Sequence, residues 1–419
     1  MTSLNLLLWI TLGIVIQLVI FLGIEYWHHW IRYRKLPSDK NEVVGIHSRS
    51  AENISAAVWN GFRTFRVDRK IIEDEAQSTC SFYLVPVDEK VLPVFQPGQF
   101  LTFSLDLPAS NDSSEQLMRC YSLSDAPFAD HYRVSIKRVP APPGSHVSAG
   151  RSSNYFHDHV SVGSLLQVRA PAGHFCIDNS DDPVVLICGG IGITPMLSML
   201  NETLIKQPER EIWLFYGVRN SSETIMQSHL NTLESAHSNF HFWICASRPL
   251  PEEVLGIDHK HEGRVDIKLL RALLPLKAYH YYICGPAPML ESIVPALEEW
   301  GVADVRIHYE AFGPSSIKRT TSVVKDNIQR QQTDKEIVVT FAQSEKKLQW
   351  KPSDVNLLEF AESNGITINS GCRAGGCGTC QTKILSGEVS YRHPPDYDPD
   401  EGTCLLCVST PKTSVALEL

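Results

Sequence analysis

The sequence predicts a multidomain protein: an N-terminal transmembrane helix, an antiparallel Greek-key β-barrel, an α/β domain with a parallel sheet, and a small α+β domain. Four observations predict this fold class. Residues 4–24 carry no charge, and residues 59–178 contain short runs in which apolar and polar residues alternate. From 179 to 313, continuous apolar runs are separated by helical patterns, and residues 335–419 then contain clustered cysteines.

Length and composition exclude several classes of protein. A chain of 419 residues is long enough for two or three domains. With 43% hydrophobic and 20% charged residues it is globular rather than disordered, and its formal net charge of −9 argues against a nucleic acid partner. Outside the cysteine cluster, the remaining cysteines are scattered in mostly apolar runs. That distribution is typical of reduced, buried thiols in a reducing compartment.

Residues 4–24 are long and apolar enough for a transmembrane helix, because about 20 such residues span a bilayer core. Interfacial aromatic residues and then basic residues follow, namely Tyr26, Trp27, Trp30, Tyr33, Arg32, Arg34 and Lys35. This order predicts a single-pass protein of the inner or plasma membrane with its other domains in the cytoplasm. A cleaved signal peptide is the alternative, but the sequence has neither a basic n-region nor a small-x-small cleavage site. The predicted anchor is 1–30 and the predicted tether 31–58.

The barrel is predicted over residues 59–178 from five runs with strand-like alternation and from the turn at Pro97-Gly98. The runs begin at Phe62, Cys80, Gln99, Tyr132 and Leu165. Short strands at this spacing favour a closed antiparallel sheet.

The α/β domain is predicted over residues 179–313. The continuous apolar run 184–188 is typical of a buried parallel strand, and it leads into a glycine-rich turn. We expect a helix over 195–206 with Thr194 as its N-cap, and further helices near 223–235 and 288–300. Glycines before a helix N-terminus let backbone amides approach a pyrophosphate, which makes Gly190, Gly192 and Thr194 candidate nucleotide-binding residues.

A polar linker is predicted over residues 314–334, and the α+β domain over 335–419. This domain contains C-x4-C-x2-C and a later cysteine, the spacing of a plant-type [2Fe–2S] site. The first three predicted ligands are Cys372, Cys377 and Cys380, whereas Cys404 and Cys407 both fit the fourth position. A zinc knuckle or a disulfide framework is the alternative, but zinc knuckles use paired C-x2-C hooks and so tight a loop disfavours disulfides.

Two motifs in the barrel resemble the flavin-binding motifs of the ferredoxin–NADP reductase superfamily. They are the run Arg119-Cys-Tyr121-Ser122 and the stretch 150–158. The resemblance implies that Arg119 binds the flavin phosphate, that Tyr121 and Ser122 contact the isoalloxazine, and that the second motif also binds flavin through Ser152, Ser153 and Asn154. The local sequence looks closest to the reductase part of flavohaemoglobins, which use FAD. Relatives that place a ferredoxin domain last include users of FMN, so FMN is the alternative.

The same resemblance extends to the nucleotide domain and the cluster. The run Cys284-Gly285-Pro286 matches the C-G-P motif of the superfamily, whose cysteine lies beside the nicotinamide; a buried thiol in a strand is the other interpretation. Glu310 and Phe312 match the segment that returns to the flavin. The resemblance therefore implies Ser122, Cys284 and Glu310 as the residues that align the nicotinamide with the flavin. The ferredoxin-like (β-grasp) ending favours Cys407 as the fourth ligand.

The nucleotide preference rests on three residues after the second and third strands of the α/β domain. Arg219 and Arg248 stand where a 2′-phosphate is bound, and Glu223 is the first carboxylate available for a free 2′-hydroxyl. Both NADH and NADPH therefore fit the sequence. Because the runs Y-G-x-R and S-R-P also occur in NADH-using relatives of the superfamily, the resemblance slightly favours NADH.

The sequence thus predicts a membrane-anchored NAD(P)H-dependent reductase that passes electrons through flavin and a [2Fe–2S] cluster to a redox partner. The partner class is an oxygenase, a hydroxylase or a desaturase, located in the membrane or in solution. Direct reduction of a membrane quinone and a redox-sensing module without turnover are the alternatives. An acidic loop with Asp396, Asp398, Asp400 and Glu401 is either a docking patch for a basic partner or a solvated loop.

Overall fold

The computed structural model describes most of the chain after residue 58. The described residues are 59, 61–108, 114–141, 144, 149–311, 337–351, 354, 356–366, 368, 370–371, 373, 375, 378–391, 395 and 397–419. They form three modules, each with its own hydrophobic core. The predicted anchor, tether and linker lie outside the described residues, as do Phe312, Cys372, Cys377 and Asp396.

The first module is the predicted antiparallel barrel. Its strands pair in the order β4-β3-β6-β1-β2-β5. An antiparallel bridge between Leu123, just after β4, and Val134 in β5 joins the two ends of the sheet. The strands are β1 (Arg63–Ile72), β2 (Thr79–Pro86), β3 (Phe100–Pro108), β4 (Ser114–Ser122), β5 (Tyr132–Lys137) and β6 (Leu165–Val168).

Helix α1 (Arg151–His159) closes one side of the barrel with an aromatic side chain. Phe156 is fully buried, and its ring centre lies 5.3 Å from those of Phe82 and Phe103 and 5.2 Å from that of Tyr121. Edge-on ring contacts of this kind are favourable beyond the apolar area that they bury. The packing fixes α1, and with it the second predicted flavin motif, against the strand that carries the first.

The second module is a six-stranded parallel sheet in the order β10-β9-β8-β7-β11-β12. Its strands are β7 (Val184–Gly189), β8 (Ile212–Val218), β9 (Phe240–Ala246), β10 (His261–Glu262), β11 (His280–Gly285) and β12 (Ile307–Ala311). Its helices are α2 (Ile193–Lys206), α3 (Gln227–Ala236), α4 (Ile267–Leu273) and α5 (Ala287–Glu299). Every residue of β7 is buried, as the continuous apolar run predicts. Because β8 and β11 flank β7 on opposite sides, the strand order reverses there, which is where open α/β sheets bind ligands.

The start of α2 differs from the prediction. The helix begins at Ile193, and Gly192 rather than Thr194 occupies the N-cap position, without a side-chain cap. The Thr194 hydroxyl instead donates to the carbonyl oxygen of Ile191 at 3.0 Å. A 3₁₀ turn over Gly190–Gly192 continues directly into the helix, so Thr194 is the second residue of the helix and lies past the N-cap position.

The third module is a five-stranded mixed sheet in the order β14-β13-β19-β15-β17, accompanied by the pair β16-β18. Its strands are β13 (Val338–Phe341), β14 (Lys346–Gln349), β15 (Gln381–Ser386), β16 (Val389–Tyr391), β17 (Thr403–Leu405), β18 (Ser409–Pro411) and β19 (Val415–Leu417). Helix α6 (Leu357–Ser363) is capped by Asn356, whose side-chain oxygen accepts from the Glu359 amide at 2.8 Å. The α+β architecture predicted for this segment is therefore confirmed.

The predicted membrane localisation is corrected by the helices that the structure describes. None of them is long and apolar enough to cross a bilayer. Helix α2, with 14 residues, is about 21 Å long, whereas a bilayer core is about 30 Å thick. The segment on which the localisation rested, residues 4–24, lies outside the described residues.

Asp178 connects the barrel to the parallel sheet through a polar network. Its carboxylate accepts from the Tyr282 hydroxyl at 2.9 Å and from Arg210 Nη2 at 3.1 Å, and it also accepts from Ser180. Burial alone would raise the pKa of Asp178, but the hydrogen bonds from Ser180 and Tyr282 and the charge of Arg210 outweigh it and lower the pKa to about 2.

We expect Asp178→Asn to lower the free energy of unfolding at pH 7 by about 1–2 kcal/mol. The folded-state pKa is depressed, so the wild-type advantage is present above the ordinary aspartate pKa and is lost as the pH falls from about 4 towards 2. Urea unfolding at several pH values measures this difference in the free energy of unfolding between wild type and variant. Asp181→Asn, an exposed carboxylate nearby, is the control and should change stability little. A loss that stayed constant down to pH 3 would contradict the charge-based account.

Candidate functional site

A cleft of about 480 Å³ lies at the open side of the barrel and contains most of the predicted flavin residues. Arg119, Tyr121 and Ser122 contribute from β4, and Ser152 and Ser153 from α1. The sequence brings them together because β4 ends next to β5 while α1 packs across the barrel through Phe156.

The two predicted flavin motifs are hydrogen-bonded to each other. The Tyr121 hydroxyl lies 2.7 Å from Ser152 Oγ. Burial raises the pKa of Tyr121 to about 12, so the phenol keeps its proton at neutral pH. A neutral phenol on the cleft wall can lie against a flat ring and hydrogen-bond to its polar edge.

Ser153 and Asn154 play different parts in this arrangement. Ser153 lines the cleft, and its hydroxyl accepts from the Val139 amide at 3.2 Å. The Asn154 side chain is not in the cleft wall; its amide donates to the carbonyl oxygens of Val139 and Gly150 at 2.9 and 2.7 Å. Asn154 therefore holds the start of α1 against the end of the preceding loop.

The same cleft contains cationic groups suited to a phosphate. Arg119 and Arg151 line it, and Arg151 is the first residue of α1. A guanidinium binds phosphate oxygens in pairs, and the amides at a helix N-terminus add partial positive charge. Sequence reasoning found Arg119 but missed Arg151, although Arg151 lies within the second motif.

A second cleft, of about 730 Å³, lies at the carboxyl ends of the parallel strands. It is lined by residues that follow β7, β8, β9 and β11, including Gly190, Arg219, Ser247, Gly285 and Pro286. Gly192 is not among the residues that line this cleft, and a Cβ atom there would come within 2.1 Å of the Cys284 carbonyl oxygen. The close approach of these glycine-rich loops leaves room for an extended ligand along the strand ends.

Lys137, at the end of β5 in the barrel, lines both clefts. The sequence motifs did not indicate it as a site residue. Its amine donates to Glu223 Oε2 at 2.7 Å, and Arg219 Nε lies 2.6 Å from Glu223 Oε1. Burial alone would raise the pKa of Glu223, but hydrogen bonds and charge from Lys137 and Arg219 hold it below the usual value. The second cleft therefore contains an ionised carboxylate shared by two cations.

Of the three residues predicted to align the nicotinamide, two lie in the wall of the first cleft and one is buried beside it in sequence register. Ser122 and Glu310 line the first cleft, and Ile191 and Lys137 line both. Cys284 is fully buried and pairs in register with Glu310 on the neighbouring strand. Burial, followed by the adjacent Glu310 carboxylate, raises the pKa of the Cys284 thiol well above its usual value. The Cys284 thiol therefore keeps its proton at neutral pH.

The structure places two further predicted residues differently. Thr194 lines the first cleft rather than the second, and Arg248 is absent from the second cleft's wall. The Arg248 amide donates to the Arg219 carbonyl oxygen at 2.7 Å, so it supports the loop that carries Arg219. Arg264, which sequence reasoning missed, does line the second cleft.

The predicted cluster ligands are described only in part. Cys380 and Cys407 are 3% and 4% exposed, and the Leu406 amide donates to the Cys380 carbonyl oxygen at 3.3 Å. Cys404 is fully buried in β17 opposite Thr382. Ser370, Gly371 and Arg373 of the same loop line the first cleft, so the cysteine loop faces the barrel.

These surroundings suit the groups that the sequence motifs imply. The first cleft combines three arginines, a neutral phenol and hydroxyl groups, which suits a flavin with a phosphate. In the cysteine loop, Gly375 and Gly378 have φ angles of +77° and +72°. Glycine adopts this left-handed conformation without the steric cost that other residues have, so both glycines suit a tight loop.

Two family models match parts of the chain. Residues 186–294 match the oxidoreductase NAD-binding domain, and residues 339–412 match the 2Fe-2S iron-sulfur cluster binding domain. The first covers the parallel sheet from β7 into α5, and the second covers the module that contains the clustered cysteines.

Curated relatives similar to this chain are flavohemoproteins. That of Halalkalibacterium halodurans is 36% identical over 262 residues, which is 61% of each chain. That of Rhizobium meliloti is 36% identical over 270 residues, which is 64% of each chain. The present chain thus spans less than two thirds of the length of these relatives.

Two solved structures resemble the fold. The flavohem-like FAD/NAD binding domain of nitric oxide dioxygenase from Vibrio cholerae is 32% identical, with a TM-score of 0.53, and the match covers 61% of this chain and all of that one. Phthalate dioxygenase reductase is 24% identical with a TM-score of 0.50, and the match covers 86% of this chain and 98% of that one. The second similarity concerns the fold alone, and it extends across all three modules.

Proposed function

Since the chain belongs to the ferredoxin–NADP reductase superfamily and ends in a [2Fe–2S] ferredoxin domain, we propose that it carries electrons from NADH through FAD and the cluster to a separate redox protein. The observation that carries this proposal is the meeting of the three modules. The nucleotide cleft and the flavin cleft share Lys137 and Ile191, and residues of the cysteine loop line the flavin cleft.

FAD is the flavin that we propose for the first cleft. The local sequence favours FAD over FMN, and the Vibrio cholerae structure, whose title names an FAD/NAD binding domain, is 32% identical. Arg119 and Arg151 would bind phosphate, Tyr121 and Ser122 would contact the ring, and Ser152 would orient the Tyr121 hydroxyl. When bound, FAD supplies the chemistry that accepts a hydride and returns its electrons one at a time.

Ser122, Cys284 and Glu310 are the residues that we propose align the nicotinamide with the flavin ring. The pairing of Cys284 with Glu310 brings a neutral thiol and a carboxylate side by side, and the Ser122 hydroxyl completes the set from the barrel. Their contribution is alignment and exclusion of water, because hydride transfer needs close contact of the two rings rather than an added acid or base. Gly190, Gly192, Gly285 and Pro286 shape the backbone around the nucleotide.

The domain boundaries follow the modules. We propose a flavin-binding barrel over 59–178, a nucleotide-binding domain over 179–313 and a ferredoxin-like domain over 335–419, joined by the linker 314–334. Cys372, Cys377, Cys380 and Cys407 would bind the cluster.

We propose an oxygenase, a hydroxylase or a desaturase as the electron acceptor. The barrel would bind the flavin and the parallel-sheet domain would bind the electron donor, so the cysteine-bearing module is the one that would deliver single electrons to this partner.

The preference for NADH rests on Glu223. Its ionised carboxylate lines the nucleotide cleft beside Arg219, where it would accept from a ribose 2′-hydroxyl and repel a 2′-phosphate. We expect Glu223→Gln to raise kcat/KM for NADPH relative to NADH about tenfold, because a change of 1–2 kcal/mol is typical of one charge contact.

Steady-state kinetics with both nucleotides check this expectation. Glu253→Gln is unsuitable as a control because Glu253 holds Ser221 in place, whereas Glu252→Gln, an exposed neighbour, should leave the ratio unchanged. An unchanged ratio in Glu223→Gln would mean that another residue sets the preference.

Cofactor analysis tests the proposed function. The protein purified without oxygen should contain FAD, iron and acid-labile sulfide in the ratio that one flavin and one [2Fe–2S] cluster require. FMN in place of FAD would revise the flavin assignment. A flavin that binds but is not reduced by NADH or NADPH would contradict the reductase function and favour a sensing role.

A further inference from the structure

The guanidinium of Arg169 lies between two aromatic rings that belong to different modules. Its carbon is 4.8 Å from the ring centre of Phe62, beside β1 of the barrel, and 5.1 Å from that of Tyr397 in the C-terminal module. Both distances are within the roughly 6 Å over which a cation is attracted to a ring face. The Arg169 amide donates to the Thr102 carbonyl oxygen at 2.9 Å, so the barrel fixes the backbone from which this side chain extends.

Tyr397 is tightly coupled to the cysteine loop. Its amide donates to the Gly375 carbonyl oxygen at 3.0 Å. Its ring covers Gly378 so closely that a Cβ atom there would lie 2.6–2.8 Å from three ring carbons. Both glycines lie between Cys372 and Cys380, so a force that holds Tyr397 also holds the loop.

The contacts of Arg169 and Tyr397 hold the cysteine loop in an orientation in which it faces the flavin cleft. Ser370, Gly371 and Arg373 line that cleft together with Arg119 and Ser153. Arg373 is in turn paired with Glu362 of α6, so the loop is supported on the side of its own module as well.

We propose that Arg169 is a positioning residue that holds the cysteine loop against the flavin cleft through Phe62 and Tyr397. The inference rests on the proposed function, because a reductase with both cofactors is the kind of protein that needs this loop near the flavin. Through its two ring contacts, Arg169 acts by fixing how the two modules meet.

Hydrogen exchange of the intact, cofactor-loaded protein tests the contact directly. We expect Arg169→Leu to speed exchange about tenfold in peptides that span residues 370–380 and 395–400, the shift that the loss of a half-buried cation–ring contact produces. Arg169→Lys keeps the charge and should restore part of the protection. Arg271→Leu removes a similar contact, 5.3 Å over Trp300 in the nucleotide domain, and should leave the loop unchanged. Unchanged exchange in Arg169→Leu overturns the inference.

Stopped-flow absorbance separates this inference from the proposed function. In Arg169→Leu, NADH should reduce the flavin at the wild-type rate, and the cluster should then be reduced several-fold more slowly. Phe62→Leu removes the other ring on the barrel side and should act in the same direction if Arg169→Leu does not fold. A wild-type flavin that NADH does not reduce contradicts the proposed function, and exchange then still decides whether Arg169 holds the loop. Unchanged exchange or normal cluster reduction in Arg169→Leu, with a flavin that NADH reduces, overturns the inference and leaves the proposed function standing.

Discussion

Replacing Cys380 or Cys407 with alanine is expected to abolish the [2Fe–2S] cluster while leaving reduction of the flavin by NADH intact. Both side chains are buried in the C-terminal module, and a cluster that lacks one of four thiolates loses an iron ligand that alanine does not supply. Iron analysis, visible absorbance and electron paramagnetic resonance of the reduced protein measure the loss. Electron transfer to a one-electron acceptor should fall with it.

Cys404→Ala is the matched control for the fourth ligand. Cys404 is fully buried in β17 and packs in the core of the module, so its loss should lower stability by about 1 kcal/mol and leave the cluster in place. If Cys404→Ala lost the cluster and Cys407→Ala kept it, the fourth ligand would have to be reassigned to Cys404.

Gly192→Ala is expected to cost 3 kcal/mol or more, at about the upper end of the range for overpacking, and to remove nucleotide binding. The new Cβ atom would lie 2.1 Å from the Cys284 carbonyl oxygen and 2.6 Å from its carbon. These are backbone atoms of β11, so relief requires the 3₁₀ turn and the C-G-P loop to separate. Urea unfolding and the Kd for NADH measure the two effects.

Gly190→Ala is the control in the same turn. Gly190 has a φ of +53° and open space where a Cβ atom would stand, so alanine should cost only about 1 kcal/mol through its left-handed conformation. Equal losses in the two variants would mean that backbone conformation, and not close packing on Cys284, explains the glycine at 192.

The order and type of the modules could be predicted from the sequence because each has a distinct hydrophobic period. Alternating runs correspond to β1, β2, β3, β5 and β6, and the continuous run 184–188 corresponds to the fully buried β7. Parallel strands buried on both faces leave little ambiguity in such a run.

Several site residues could not be predicted because their roles depend on contacts between modules. Lys137 is an ordinary strand-end lysine in the sequence, and only the fold brings it to Glu223, 86 positions away. The same holds for Arg169 and Tyr397, which meet across two modules. Arg151, in contrast, could have been predicted from the sequence. A basic residue at the start of a helix, beside the serines of the second motif, indicates phosphate binding.

The start of α2 shows a second reason why sequence-based prediction fails in detail. Thr194-Pro195 is a good signal for a helix N-terminus. However, the 3₁₀ turn Gly190–Gly192 continues into α2, so the helix begins at Ile193, one residue before Thr194. In this turn Gly192 packs directly on the Cys284 carbonyl group, a contact between distant segments that no local pattern encodes.

The most direct test of the electron path is anaerobic stopped-flow mixing of the wild-type protein with NADH, observed at flavin and cluster wavelengths together. The account predicts that flavin absorbance falls first, that cluster absorbance falls after it, and that NADPH gives the same sequence more slowly. Reduction of the flavin with a cluster that stays oxidised would contradict the proposed path from the barrel to the cysteine loop.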